Sequence, residues 1–139
     1  MIDLGIEFEK KPNEYNSLVL AYIGDTLYDL YVRSRNIAQH PGMDANKLHR
    51  TAIKFVCAHG QSEAVKYIEE HLTEQELAAY KRGRNTKSYT VPKNADVGEY
   101  RRATGFEALL GWLYVGGQTE RLEELARMSY DAILKAQNN

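Results

Sequence analysis

A chain of 139 residues can bury one hydrophobic core but is short for a catalytic domain joined to a second folded domain, so we predict one domain over residues 1–139. Its net charge is −1, and its single cysteine allows no internal disulfide and makes a zinc site a poor interpretation. No apolar run approaches the roughly 18 residues of a membrane span and no signal-peptide pattern is present, so we expect a cytoplasmic protein without a membrane partner.

The first predicted helix runs from Glu14 to about Ile37 and is apolar around almost its whole circumference. We expect it to be buried nearly all round, with a second subunit covering one side. Its segment Leu20-Ala21-Tyr22-Ile23-Gly24-Asp25 carries one carboxylate among residues typical of a core. Asp29, one turn later, could add a second ligand oxygen or pair with Arg33, and the i,i+4 spacing favours the ion pair.

Two shorter helices are expected after the break at Pro41-Gly42. Asp44 is a plausible N-cap of a helix that reaches Val56 and could continue past Gly60 to Ile68. The residues Thr73-Glu74-Gln75-Glu76 form a capping box that opens a helix to about Arg82. We predict Cys57 to be a small buried apolar residue.

Positive charge is concentrated between Tyr80 and Arg102. Seven Lys and Arg residues there face two acidic residues, a local charge of +5 that leaves −6 on the rest of the chain. Such a strip is typical of a surface that binds a polyanion, although a solvated loop with surplus lysines would look the same. The residues from Gly83 to Pro92 have almost nothing to bury and are predicted to form a mobile loop.

Two more helices complete an all-α prediction. Asn94 or Asp96 could cap the first, which contains Thr104-Gly105-Phe106-Glu107-Ala108-Leu109-Leu110-Gly111 and ends at Gly116-Gly117. The last helix is amphipathic. One stripe of it carries Leu122, Leu125, Ser129, Ala132 and Ile133.

Asp25 and Glu107 therefore each lie in an otherwise apolar helix. Burying an ionised carboxylate without compensation costs several kcal/mol. Either a cation such as Arg101 or Arg102, or a helix N-terminus, holds each acid, or the two acids together hold a divalent metal. Magnesium suits the second interpretation, because it keeps several waters and needs only one or two protein carboxylates. Carboxylates more than about 8 Å apart would exclude a shared ion.

The two acidic segments resemble the conserved acidic helices of the ribonuclease III family. The segments Lys81-Arg82-Gly83-Arg84-Asn85, Pro92-Lys93-Asn94 and Tyr100-Arg101 resemble its short bacterial branch, Mini-ribonuclease III, which has the nuclease domain and no separate RNA-binding domain. The likeness covers residues 18–134.

This resemblance implies an all-α, ribonuclease III endonuclease-like domain that acts as a homodimer. Its activity would be magnesium-dependent (Mg²⁺) cleavage of double-stranded RNA, with precursor 23S ribosomal RNA as substrate. Asp25 would be the catalytic aspartate, Glu107 the metal-binding glutamate, and Tyr22 would pack across the dimer. The residues expected to bind RNA are Lys81, Arg82, Arg84, Lys87, Lys93 and Arg101.

Two departures from the larger family bear on the metal site. That family has additional carboxylates where this chain has Ala21 and Thr104, so fewer protein oxygens would surround the ion. The Thr104 hydroxyl could bond a metal-bound water or its own backbone. A non-catalytic helical module that binds double-stranded RNA is therefore an alternative, and a protein-interaction module is another. Cleavage measured with and without magnesium separates an enzyme from both.

Overall fold

A computed structural model describes residues 3–87 and 91–138, and in these ranges the chain is all-α, as predicted, with no strand. The helices are α1 (Ser17–Gln39), α2 (Ala45–Val56), α3 (Ala58–Ile68), α4 (Glu74–Asn85), α5 (Val97–Val115) and α6 (Thr119–Gln137). Short 3₁₀ turns lie at Pro12–Glu14 and Glu69–His71. None of the helices in these ranges is long and apolar enough to cross a membrane.

Side-chain caps start four of these helices, and three of the caps were predicted. Asp44 accepts a hydrogen bond from Lys47 N at 2.9 Å, and Asp96 accepts one from Glu99 N at 2.9 Å. Thr73 and Glu76 form the reciprocal capping box at the start of α4. The fourth cap, in which Asn16 accepts from Leu18 N, places the start of α1 after the 3₁₀ turn and later than Glu14.

The helix predicted after Asp44 is in fact two helices, because Cys57 adopts an extended backbone conformation (φ −70°, ψ 162°). The prediction that Cys57 is a buried apolar residue is also wrong. It is half-buried, and its Sγ accepts a hydrogen bond from Gly60 N at 3.4 Å, which caps α3.

Helix α4 ends at Asn85, so the predicted mobile loop starts later than Gly83. Arg84 consequently lies in the last turn of a helix. Residues 88–90 of the predicted loop lie outside the described residues.

Helix α5 forms the centre of the fold. It packs most extensively against α1, and α4 and α3 flank it. All its residues from Ala103 to Leu113 except Glu107 are buried, so this helix is enclosed on every side and not only on one apolar face. Burial on this scale leaves few positions where a polar side chain could be placed without a specific reason.

Glycines let α1 and α5 cross in backbone contact. A Cβ atom on Gly24 would lie 2.6 Å from the carbonyl carbon of Glu107, and one on Gly111 would lie 2.7 Å from the carbonyl carbon of Leu20. Both distances are shorter than any normal carbon contact, so only glycine fits at either crossing point. The crossing places Asp25, the residue after Gly24, next to the helix turn that carries Glu107.

One stripe of α1 remains uncovered, contrary to the prediction of nearly all-round burial. Tyr22 is 81 % exposed, and Val19, Leu30 and Ile37 on the same helix are also exposed. A stripe of large apolar side chains on a helix face is typical of a surface that another protein chain covers.

Candidate active site

Asp25 and Glu107 lie side by side at the crossing of α1 and α5. Their carboxyl groups interact both through charge and through a hydrogen bond that they can share when one of them is protonated. Asp25 is exposed, whereas Glu107 is half-buried. The pair is therefore reachable from solvent on the Asp25 side and enclosed by protein on the Glu107 side.

The environment of Glu107 favours its neutral form when no cation is bound. Burial, followed by the neighbouring Asp25 carboxylate, raises the pKa of Glu107 from 4.5 to about 9, while an interaction with Gln61 acts in the opposite direction. A carboxyl group with so high a pKa lies in a site that lacks positive charge. A divalent cation bound between the two acids would supply that charge.

The alternative that arginines neutralise these acids is not what the structure contains. Among the described residues, none of the ion pairs includes Asp25 or Glu107. Arg102 donates from Nε to Ser62 Oγ at 2.6 Å, and Arg101 is exposed. Asp29 pairs with Arg33 at 3.0 Å, as predicted. The direct contact of the two acids also meets the requirement that they lie within about 8 Å of each other.

The donor set at this position is small. Within residues 3–87 and 91–138 there is no group of three or more His, Cys, Asp or Glu side chains that could hold a metal. The Thr104 hydroxyl donates to Tyr100 O at 2.9 Å, which is the backbone alternative for that residue, and Ala21 is buried. Two carboxylates without nitrogen or sulfur ligands suit Mg²⁺, which binds oxygen and retains waters, and do not suit zinc.

Gln61 is a residue of this site that the sequence reasoning missed. Its side chain is buried, Nε2 donates to Val56 O at 3.0 Å, and Oε1 has no hydrogen-bond partner among the described residues. It also interacts with the Glu107 carboxyl group. The available signal was its position: with Ala64, Val65 and Ile68 it occupies the buried i, i+3, i+4, i+7 face of α3, where an amide is unusual.

The basic residues of α4 lie close to the acid pair. A Cβ atom on Gly83 would lie 2.6 Å from the Cβ of Ala108, the residue that follows Glu107. Arg82 and Arg84 flank Gly83 in the chain, so the contact of α4 with α5 carries both arginines to the helix turn that bears the glutamate.

Asn13, another residue that the sequence reasoning did not single out, holds Arg82 in place. Its Oδ1 accepts from Arg82 Nη2 at 2.8 Å and from Trp112 Nε1 at 2.7 Å. Arg84 lies over the ring of Tyr80, 5.6 Å from its centroid.

The other predicted RNA-binding residues are exposed side chains without a hydrogen bond or ion pair among the described residues. They are Lys81, Lys87, Lys93 and Arg101. Lys81 belongs to α4 and Arg101 to α5, whereas Lys87 and Lys93 lie on either side of residues 88–90. The cations thus extend from α4 to α5, and their role in binding remains a prediction.

Tyr22 lies one helical turn before Asp25 on the uncovered stripe of α1. It lines an apolar groove together with Ile6, Phe8 and Val19. This position is compatible with the predicted contact across a dimer.

Comparisons with known proteins agree with this arrangement. A family model described as the ribonuclease III domain matches residues 18–118. The chain is 46 % identical over 126 residues to a Clostridium tetani protein named Mini-ribonuclease 3, covering 90 % of this chain and 83 % of that protein. It is 47 % identical over 114 residues to an Enterococcus faecalis protein of the same name, covering 81 % and 86 % respectively. A crystal structure of a Fusobacterium nucleatum protein matches with a TM-score of 0.78 at 28 % identity, covering 88 % of this chain and 98 % of that one.

Proposed function

Because this chain belongs to the ribonuclease III family, in its Mini-ribonuclease 3 branch, and is an endoribonuclease, we propose that it cleaves double-stranded RNA with Mg²⁺ held by Asp25 and Glu107. The observation that carries this proposal is the contact of the two acids, neither of which has a cationic partner among the described residues. A purely structural role would leave two like charges adjacent for no benefit.

The two acids have different parts in the reaction. A bound Mg²⁺ would activate the attacking water and neutralise charge that develops on phosphate oxygens. Asp25, on the exposed side, is the acid that a substrate phosphate approaches. Glu107, on the enclosed side, would give up its carboxyl proton when the cation binds, because its raised pKa keeps it neutral otherwise. No side-chain nucleophile is required.

Recognition of the RNA would rest on phosphates and duplex shape. A-form RNA buries its base edges and exposes 2′-hydroxyls between two phosphate ridges. Arg82 and Arg84 reach the acid pair through the contact of Gly83 with Ala108, so a phosphate bound to them would bring the backbone to the acids. Asn13 reduces the freedom of Arg82 before the RNA arrives.

We further propose a homodimer formed through the uncovered stripe of α1 around Tyr22. A twofold dimer would present two acid pairs, one to each strand of the duplex, and would produce staggered double-strand cuts. The proposed substrate is the precursor of 23S ribosomal RNA, which the resemblance to the Mini branch implies, and its processing would take place in the cytoplasm.

The test compares Asp25→Asn with Asp29→Asn on a duplex RNA in the presence of Mg²⁺ or of EDTA. We expect the parent to cut only with Mg²⁺ and Asp25→Asn to lose cleavage by orders of magnitude while its melting temperature and RNA affinity are retained. Asp29→Asn removes a carboxylate one turn away that is already paired with Arg33, so it should cut like the parent.

Two results would contradict the proposal. An Asp25→Asn variant that melts well below the parent but keeps its specific activity would make the acid structural. A parent that binds duplex RNA but does not cut it with Mg²⁺ would favour a non-catalytic module.

A further inference from the structure

The buried amide of Gln61 has no explanation in the packing of the fold. Its side chain is 2 % exposed, and its Oε1 has no partner among the described residues. Leaving a buried acceptor unsatisfied costs about 1–3 kcal/mol, whereas an apolar side chain of the same shape would cost nothing. A polar group that weakens the core at this position therefore has another use.

The backbone of Gln61 is held at one place against α5. Its neighbours on either side of the chain contact that helix: His59 Nδ1 lies 3.1 Å from Glu99 Oε1, and Arg102 donates to Ser62 Oγ at 2.6 Å. Gly60 allows the start of α3 to pack closely on the end of α2, where a Cβ atom would lie 3.0 Å from Phe55 O. The first turn of α3 is thereby fixed relative to the helix that carries Glu107.

The amide itself is also held in orientation. One N–H of Nε2 donates to Val56 O at 3.0 Å, which limits rotation about the last side-chain torsion. Among the groups that act on the Glu107 carboxyl, Gln61 is the one that favours the charged state. A primary amide has a second N–H and a carbonyl oxygen available after the bond to Val56.

We propose that Gln61 is a positioning residue that orients the Glu107 carboxylate towards Asp25 and so preforms the cation site. This inference rests on the proposed function, because it requires that the acid pair binds a divalent metal. Gln61 would act on the metal only through Glu107, as the hydrogen-bonded partners behind metal ligands generally do.

Metal binding without RNA tests this directly. We would titrate Mn²⁺, as a spectroscopic substitute for Mg²⁺, into the intact protein and measure free Mn²⁺ by electron paramagnetic resonance. Gln61→Met keeps the length and volume of the side chain and removes its hydrogen bonds. We expect its Kd for Mn²⁺ to rise by about 10- to 100-fold, and its melting temperature to stay equal to that of the parent or to increase.

Asn36→Leu is the matched control. Asn36 is also a buried amide with one unpartnered atom, and its Oδ1 accepts from Tyr130 OH at 2.6 Å, away from the acid pair. This variant should lose stability and bind Mn²⁺ like the parent. Gln61→Asn keeps an amide that is one methylene too short to serve both Val56 and Glu107, so it should weaken Mn²⁺ binding too, and it decides the matter if Gln61→Met does not fold.

The outcomes separate the inference from the function on which it rests. If the parent binds Mn²⁺ and the folded Gln61 variants bind it equally well, the positioning role is wrong while the proposed function stands. If the parent does not bind Mn²⁺ and is not activated by Mg²⁺, the proposed function fails first. Weaker binding by the Gln61 variants, with Asn36→Leu unchanged, supports the inference.

Discussion

Gly24 of α1 lies directly against the backbone of Glu107 in α5, so that a Cβ atom on the glycine would be 2.6 Å from the glutamate carbonyl carbon. This backbone contact sets the separation of the two helices. It therefore also sets the separation of the Asp25 and Glu107 carboxyl groups, which extend from the same crossing.

The first prediction is that Gly24→Ala damages the fold and the site together. Overpacking a core costs about 1–3 kcal/mol where side chains can yield, and here the obstacle is backbone, so we expect at least the upper end of that range. Urea denaturation measures the stability, and cleavage of duplex RNA measures the site. Gly42→Ala is the control, because a Cβ atom at Gly42 meets nothing within 4 Å. A Gly24→Ala variant with parental stability would contradict the described crossing.

The second prediction concerns the pH dependence of stability without metal. The pKa of Glu107 is raised from 4.5 to about 9 on folding, so the folded state holds this proton more tightly than the unfolded state does. Its contribution to stability is complete below about pH 4.5 and is lost as pH rises towards 9. Denaturation in EDTA should show the parent losing stability across this window relative to Glu107→Gln, which has no proton to lose. Parallel pH profiles for the two proteins would contradict the raised pKa.

Metal should reverse that loss in the parent. At pH 8, Mg²⁺ bound to the folded state alone raises the free energy of unfolding by mass action. We expect a higher melting temperature with Mg²⁺ for the parent and a much smaller increase for Glu107→Gln. An equal increase in both would place the cation elsewhere.

The third prediction is that replacing Arg82, Arg84 and Lys87 by alanine weakens binding to duplex RNA. Each lost phosphate contact releases fewer counterions, so the plot of log affinity against log salt should become less steep. Fluorescence anisotropy at several salt concentrations measures both effects.

The control for this experiment removes three exposed lysines from other helices, namely Lys47, Lys54 and Lys135. The two triple variants have equal net charge. Equal losses of affinity in both would show that total charge, and not the position of the cations next to the acid pair, governs binding.

The fourth prediction is that Tyr22→Asp shifts the protein from dimer to monomer. Tyr22 is 81 % exposed on an apolar stripe, so a charge there costs little in the isolated chain but would be buried in the interface. Analytical ultracentrifugation at micromolar concentration measures the equilibrium. Tyr67→Asp, at another exposed tyrosine on α3, should sediment like the parent. A parent that sediments as a monomer would remove the dimer and, with it, the paired cutting of two strands.

The sequence by itself determined the local structure and the identity of the two acids. Apolar spacing and turn residues predicted the all-α class, and the caps at Asp44, Thr73 and Asp96 were predicted from side-chain chemistry that acts within three residues. Asp25 and Glu107 stood out because a carboxylate in an apolar helix is costly wherever the helix packs. The break at Cys57 was missed, because the apolar pattern continues through it and only the backbone changes direction.

Tertiary structure alone decided how these parts meet. The contact of Asp25 with Glu107 depends on two glycines that let α1 and α5 touch, and glycine in a helix does not by itself reveal what it packs against. Gln61 reads as an ordinary polar residue until α3 is docked on α5 and its amide is enclosed beside Glu107. The exposure of Tyr22 likewise follows from which side of α1 the rest of this chain covers, because burial depends on the partners of a helix as well as on its own composition.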